Sequence, residues 1–574
     1  MNGQTRRIFP TWKDGVGAAL LVALALGVRL AALGREPLAP AEARLALEAL
    51  AWTQGQAREL VSVPLYPWWT GLLFFLFEPG DFWARWWPAV LGSVLVLLPW
   101  LLFPEASRRY KVLLGLALAL DPVLVQASRT ADGAMWALPG LAFALAALRR
   151  RRWTLALVLA LMSLYGGWPG WWGALVLLLA LGLRARLHGR TWRGTVGVAL
   201  GPAVAGAWVL FLGLGLYRPG WAGLFQGLVE GGRRWMASEW PVGMALWPFL
   251  AYQGPVLLLW LVFTFLGMRR EEPEPVAAAS WVGLTGALLW WLYPGRTPDL
   301  AVWVNVALWP GVIWAGQYLR LRRDSRGDLA WLLTGFHVAL WVLAFSQAAL
   351  LLREMGLGGG ALVLWRGALV LLALFLIGLS FMTWSTLIPP DRARDHALAA
   401  FLAVMLLAQA SGWARVLGPA SQRLWHRTVT SSQVRALQAT WAQWALWNHG
   451  RPEELEGWST VPEKAWPELR WALRRVRRLH WLQAPPLQPD TLPEAVVTLK
   501  PGPEARDEGP LPPPPELPFV SPVPYRAQDF VLREEVQPFV GGAQGLLWVF
   551  HFQPVPRRTE AVLFWLRTDR FLQP

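Results

Sequence analysis

The chain has 574 residues, 55% of them hydrophobic and 16% charged, with a mean hydropathy of +0.35. A chain so apolar and so long has too little polar surface to fold in water, so the bilayer must solvate most of it. The net charge of +16 comes from short basic clusters between apolar runs; that is a topology pattern, and no nucleic-acid partner is expected. With no Cys there can be no disulfide, thiolate metal site or cysteine nucleophile.

In chain order, Gly15 to Leu33 follows Arg6, Arg7 and Lys13, as a signal peptide would. Its apolar run is long, however, and Arg29 interrupts the outer end, so it reads as a retained first helix. Apolar runs long enough to cross about 30 Å of hydrocarbon as helices give about 13 spans in all. They lie near 14–33, 84–103, 112–127, 133–148, 153–166, 171–183, 194–216, 244–268, 276–293, 299–318, 329–352, 361–384 and 396–416.

With the N-terminus cytoplasmic, alternate loops carry Arg108/Arg109/Lys111, Arg149 to Arg152, Arg184/Arg186/Arg190/Arg193, Arg269/Arg270, Arg320/Arg322/Arg323/Arg326 and Arg392/Arg394. The opposite connections hold far fewer, as at Arg129, Arg218, Arg233, Arg234, Arg296 and Arg353. This asymmetry predicts a multi-pass protein of the cell membrane with its C-terminus outside. The expected fold class is therefore an all-α polytopic membrane protein (1–416) with an extracytoplasmic α+β domain (417–574).

The first external connection, 34–83, is patterned. Pro40 precedes AEARLALEALAW, a predicted helix with Leu45, Ala49 and Trp52 on one face and Arg44 and Glu48 on another. It reads as an amphipathic helix lying on the outer surface. Pro67 to Phe77 is apolar but short for a span, so a re-entrant or interfacial piece is expected. In the tail, Ser431 to Trp447 and Pro467 to Trp481 read as helices, and a Pro-rich segment over 484–524 as extended or looped. LLWVFHFQPV and AVLFWLRTD, either side of Pro556, read as paired strands.

Charged residues at membrane depth or in an outer vestibule are costly and so point to function. Glu42, Arg85, Arg129, Asp132, Arg296 and Asp299 come from separate outer connections or helix ends, and a cleft facing outward could gather them. His337, His396 and His426 fall on different spans and sides, which argues against a zinc centre and leaves them structural roles. The many Trp residues are expected mainly at lipid contacts and in packing.

REPLAPAEARLALEAL, after a first helix ending in VRLAALG, resembles the first external loop of polyprenyl-phosphate-dependent glycosyltransferases of the C-type superfamily, which includes protein O-mannosyltransferase and the lipid A aminoarabinose transferase. FFLFEPGDFWARWWPAVLGS, DPVLVQASRTADGAMWALPG and YPGRTPDLAVW look like bacterial family 39 members, and VRALQATWAQWALWNHGRPEEL and PELRWALRR like the tails of some of them. The resemblance implies transfer of a sugar from a polyprenyl-phosphate donor to a lipid, protein or glycan acceptor outside the membrane. A carboxylate in the first external loop would serve as base and cationic groups would hold the leaving phosphate. No cofactor is implied with certainty, and a divalent metal is left open.

One departure matters: the family's Asp-Glu pair reads Ala41-Glu42 here. Glu42 is then either the base or only a helix-start carboxylate favoured by the dipole. Arg85, Arg129 and Arg296 either bind the donor phosphate or cap helix ends; Asp132 and Asp299 either support the site or pair with those arginines. A non-catalytic, lipid-phosphate-binding relative and a lipid-linked sugar transporter are the alternatives, although the sequence shows no internal repeat of the kind transporters carry.

Overall fold

Helices dominate the described residues up to Leu417, because only a helix satisfies its own backbone in lipid. The computed structural model describes residues 12–56, 63–187, 220–236, 240, 242–266, 272–317, 319, 327–357, 360–418, 425–483, 486, 491–500, 517–537, 548–549 and 557–569. The helices used below are α1 (Trp12–Leu30), α2 (Pro40–Thr53), α3 (Leu65–Leu76), α4 (Asp81–Val94), α5 (Leu98–Leu102), α6 (Arg108–Leu120), α7 (Pro122–Ser128) and α8 (Ala134–Arg149). Among the described residues seven helices are long and apolar enough to cross a bilayer, or nine if each of two bent pairs is one span.

The expected total of about 13 is not reached. The spans expected at 133–148 and 153–166 are the shorter helices α8 and Trp153–Leu164, and the one expected at 194–216 lies outside the described residues. The first expected span is α1, whose 19 residues include Lys13, Asp14 and Arg29. One bent pair is α6 with α7, turning 55° where Asp121 precedes Pro122; the other turns 65° between 244–252 and 254–265. Proline and its predecessor cannot continue a helix smoothly, which places both bends.

The first bend is packed from inside. Arg29 is fully buried and donates to Ser128 Oγ (3.1 Å) and to the carbonyls of Ala119 (3.0 Å) and Leu118 (3.2 Å), groups freed where α6 ends. Gly92 makes the approach possible, since a Cβ there would lie 2.0 Å from Ser128 Oγ. Asp121 Oδ1 accepts from Leu124 N (3.0 Å), while Oδ2 accepts from Asn305 Nδ2 (2.9 Å), Trp309 Nε1 (2.9 Å) and Gln409 Nε2 (3.2 Å). This buried acid therefore ties α7 to the helices Val302–Gly316 and Pro390–Leu417, as intramembrane charge usually requires.

The C-terminal domain is a six-stranded mixed sheet in the order β1-β5-β6-β4-β2-β3. The strands are β1 (Thr428–Thr430), β2 (Glu456–Ser459), β3 (Arg478–Trp481), β4 (Ala495–Leu499), β5 (Tyr525–Val536) and β6 (Arg557–Arg567). The helix Gln433–His449, expected at 431–447, lays Trp441 on Phe564 (5.3 Å). Three expectations need correction. Pro467 to Trp481 is a helix only to Ala472 and then becomes β3, which pairs with β2. The Pro-rich segment contains β4, whose AVVTL is buried on both faces between β2 and β6. The partners of β6 are β5 and β4; of LLWVFHFQPV only Trp548 and Val549 are described, and those two are helical.

Candidate functional site

The first external loop and the C-terminal domain lie on the same side of the helical region and are bolted together. Thr430 Oγ1 donates to Leu38 O (2.6 Å), and Arg435 donates to Arg35 O (2.6 Å), Gly34 O (2.7 Å) and Asp81 Oδ2 (2.8 Å). Trp471 Nε1 donates to Asp81 Oδ1 (2.7 Å), Arg474 to Pro79 O (2.6 Å), and Arg475 pairs with Glu78. Asp81 opens α4, where an acid suits the helix dipole, so one carboxylate serves both helix and domain contact.

Between these parts is a cleft of about 30 Å³. Its walls include Glu36, Glu42, Arg85, Gln126, Arg129 and Thr130, closed from the C-terminal domain by Trp425, His426, Val429 and Thr430. Glu42, Arg85 and Arg129, named from three separate stretches of sequence, therefore converge on one cavity. A second cavity of about 400 Å³ shares Pro37 and Thr430 with the first and runs along the domain contact past Trp83, Arg435 and Trp471.

Glu42 is 2% exposed and stands at the third position of α2, after Ala39 as N-cap and Pro40. Its Oε2 accepts from Ala39 N (2.8 Å) and Arg85 Nη2 (2.6 Å); its Oε1 accepts from Arg85 Nε (2.9 Å) and Ala131 N (2.7 Å). Four donors fill the four acceptor directions of a carboxylate. Burial alone would push this carboxyl up, but the Arg85 guanidinium, with His426 and the Ala131 N–H, holds it down at about 2. Ala41 is exposed and carries only a methyl group.

Arg85 spends its remaining N–H groups on the carbonyls of Leu33 (3.4 Å), Glu36 (2.8 Å) and Pro37 (3.1 Å). All five of its donors are thus matched within the loop. Arg129 donates to the last carbonyls of α1 and the turn beyond, at Val28 (3.4 Å), Arg29 (3.2 Å), Ala31 (2.6 Å) and Ala32 (3.4 Å). It thereby caps that helix where Ala32 has a left-handed φ of 53°.

Arg296, Asp132 and Asp299 do not line this cleft. Arg296 Nε donates to Tyr293 O (3.0 Å), while its Nη1 is buried and meets no acceptor among the described residues. Burial lowers this guanidinium below its ordinary range. Asp132 caps α8 by accepting from Ala134 N (2.9 Å) and also accepts from Thr130 Oγ1 (2.9 Å). Burial and the neighbouring Asp299 charge raise its carboxyl well above the usual range. Among the described residues no group of three His, Asp or Glu side chains is arranged to hold a metal.

Sequence reasoning did not single out Gln126, Thr430 or Asp81, and it gave His426 only a structural role. His426 lies 384 positions after Glu42 in the numbering, and no spacing rule links them; only the docking of the domain brings them together.

In fold the chain is similar to ArnT from Cupriavidus metallidurans, in structures of the apo state and bound to undecaprenyl phosphate. Each superposes with a TM-score of 0.51 at 16% identity, covering 86% of this chain and 94% of that one. No family model and no curated protein matches the sequence. The chain therefore shares the fold of these structures, as the resemblance of its first external loop led one to expect.

Proposed function

We propose that the protein is a cell-membrane glycosyltransferase that moves a sugar from a polyprenyl-phosphate donor to a lipid, protein or glycan acceptor on the outer face, with the N-terminus cytoplasmic. The observation that carries this reading is the convergence of Glu42, Arg85 and Arg129 beneath the C-terminal domain, on a fold shared with a protein solved with undecaprenyl phosphate. Glu42 acts as the orienting acid, since its oxygens are engaged and its position fixes α2, Arg85 and the turn at Ala131 together. Arg129 and Arg296 are the arginines proposed to meet the donor phosphate, Arg296 through its unmatched Nη1. Arg85 joins them only by giving up a loop carbonyl. Asp132 and Asp299 support the site from beside it.

Transfer or hydrolysis of radiolabelled undecaprenyl-phosphate sugars by the purified full chain is the expected result. A second reading, a non-catalytic protein that binds the lipid phosphate, is favoured by Ala41 and by the mutual satisfaction of Glu42 and Arg85. Tight binding of undecaprenyl phosphate with no turnover of any donor selects that reading and removes the first.

A further inference from the structure

Under the transferase reading, on which this inference rests, each sugar passed from phosphate to an O–H or N–H acceptor releases one proton that needs a base within reach. Glu42 is poorly placed to take it, because four donors occupy its oxygens and Arg85 stabilises its ionised form. Ala41 offers nothing. Asp132 lies outside the cleft, with Thr130 and Ala134 on its two oxygens.

The opposite wall comes from Trp425 and His426, just before β1, and it places an imidazole in the cleft with Gln126. Gln126 is 2% exposed, and its Oε1 is buried and meets no donor among the described residues. An unmet amide oxygen in a cleft is ready to accept from an incoming O–H or N–H. The cleft, at about 30 Å³, has room for a small polar head. We infer that His426 is the proton acceptor of the transfer, and that Gln126 holds the nucleophilic head of the acceptor beside it.

In this step the acceptor oxygen or nitrogen bonds to the anomeric carbon, and the carbon–oxygen bond to the phosphate breaks with its electron pair leaving on the polyprenyl phosphate. The acceptor proton passes to the imidazole, which returns it to water. The charged groups facing the imidazole from the surrounding elements are Glu36, Glu42, Arg85 and Arg129; Arg427, next in the chain, pairs with Glu535 instead (2.9 Å). Imidazole is the side chain that takes and releases protons most readily near neutrality.

The test uses the full chain in nanodiscs, with labelled undecaprenyl-phospho-hexose and undecaprenyl-phospho-pentose as donors, and water and a total envelope extract as acceptor pools. His426→Gln is expected to lower kcat about 100-fold or more with little change in donor KM. It should also abolish the acid limb of the pH–rate profile, while added imidazole partly restores His426→Ala. Gln126→Leu should raise the KM for the acceptor. Melting midpoints equal to that of the unsubstituted chain show that the variants fold. If the acid limb survives in His426→Gln, or imidazole fails to rescue, His426 is structural and the inference falls while the transferase reading stands. A chain that releases label from neither donor overturns that reading, and this inference with it.

Discussion

The cleft around Glu42 and the turn around Arg296 are both built from charged side chains buried on the same fold, yet they differ in how their hydrogen bonds close. In the cleft, Glu42 and Arg85 use every acceptor and donor they have, on each other and on nearby backbone. At the turn, Arg296 Nη1 and Thr297 Oγ1 are buried and unmatched among the described residues. A closed network holds shape; an open one costs stability and is tolerated where something else completes it. Under the proposed function, the first pair serves architecture and the second ligand contact.

The largest effect should come from opening the closed network. Removing one partner of a buried ion pair strands the other, at a cost of about 3–5 kcal/mol. Glu42→Ala and Arg85→Ala are each expected to lose that much in chemical or thermal unfolding of the full chain, and the double variant much less than their sum. Glu42→Gln should also destabilise, because its amide turns an N–H toward donors already present. Loss of activity in that variant with full stability would instead make Glu42 chemical, and the contrast between the two regions would disappear.

How much of this could be read in the sequence follows from the same contrast. The amphipathic character of α2, the shift to a polar tail and the charged positions Glu42, Arg85 and Arg129 that meet in the cleft were legible, because charge and periodicity are local signals. That Glu42 would be saturated was not, since Ala131 N and Arg85 reach it from 89 and 43 residues away. The Pro-rich tail hid β4, whose five residues are long enough for a central strand yet too few to stand out among prolines. The span count suffered because α8 and Trp153–Leu164 are apolar throughout yet short, and composition does not distinguish a crossing helix from one packed within the bundle.

A smaller effect tests the open site. Arg296→Ala removes the unmatched donor, so stability should hold or rise, while affinity for undecaprenyl phosphate falls about tenfold, near 1.4 kcal/mol. Titration of the lipid into nanodisc-embedded protein measures it. Arg85→Lys should not weaken lipid binding by as much if Arg85 serves the loop. An equal loss in both variants would place the two arginines on one phosphate and erase the distinction drawn here.

The smallest effect concerns Asp132, which lies between the two regions and senses the charges of both Asp299 and Glu42. Its carboxyl is raised in the folded protein by burial first and by Asp299 next, so the native state keeps a proton that the unfolded chain has already lost. The native state then binds more protons than the unfolded state between the ordinary Asp value, about pH 4, and the raised folded value. Stability must therefore fall as pH rises across that window. Glu42 has the opposite sign: its folded value near 2 gives stability that is present at neutral pH and lost only as acid titrates it. Asp132→Asn should flatten the decline on the neutral side and leave the acid side to Glu42, as read from melting midpoints between pH 4 and 8. An unchanged slope would mean that Asp132 is ionised in the folded protein, and that the acids at this corner are held by cations rather than by each other.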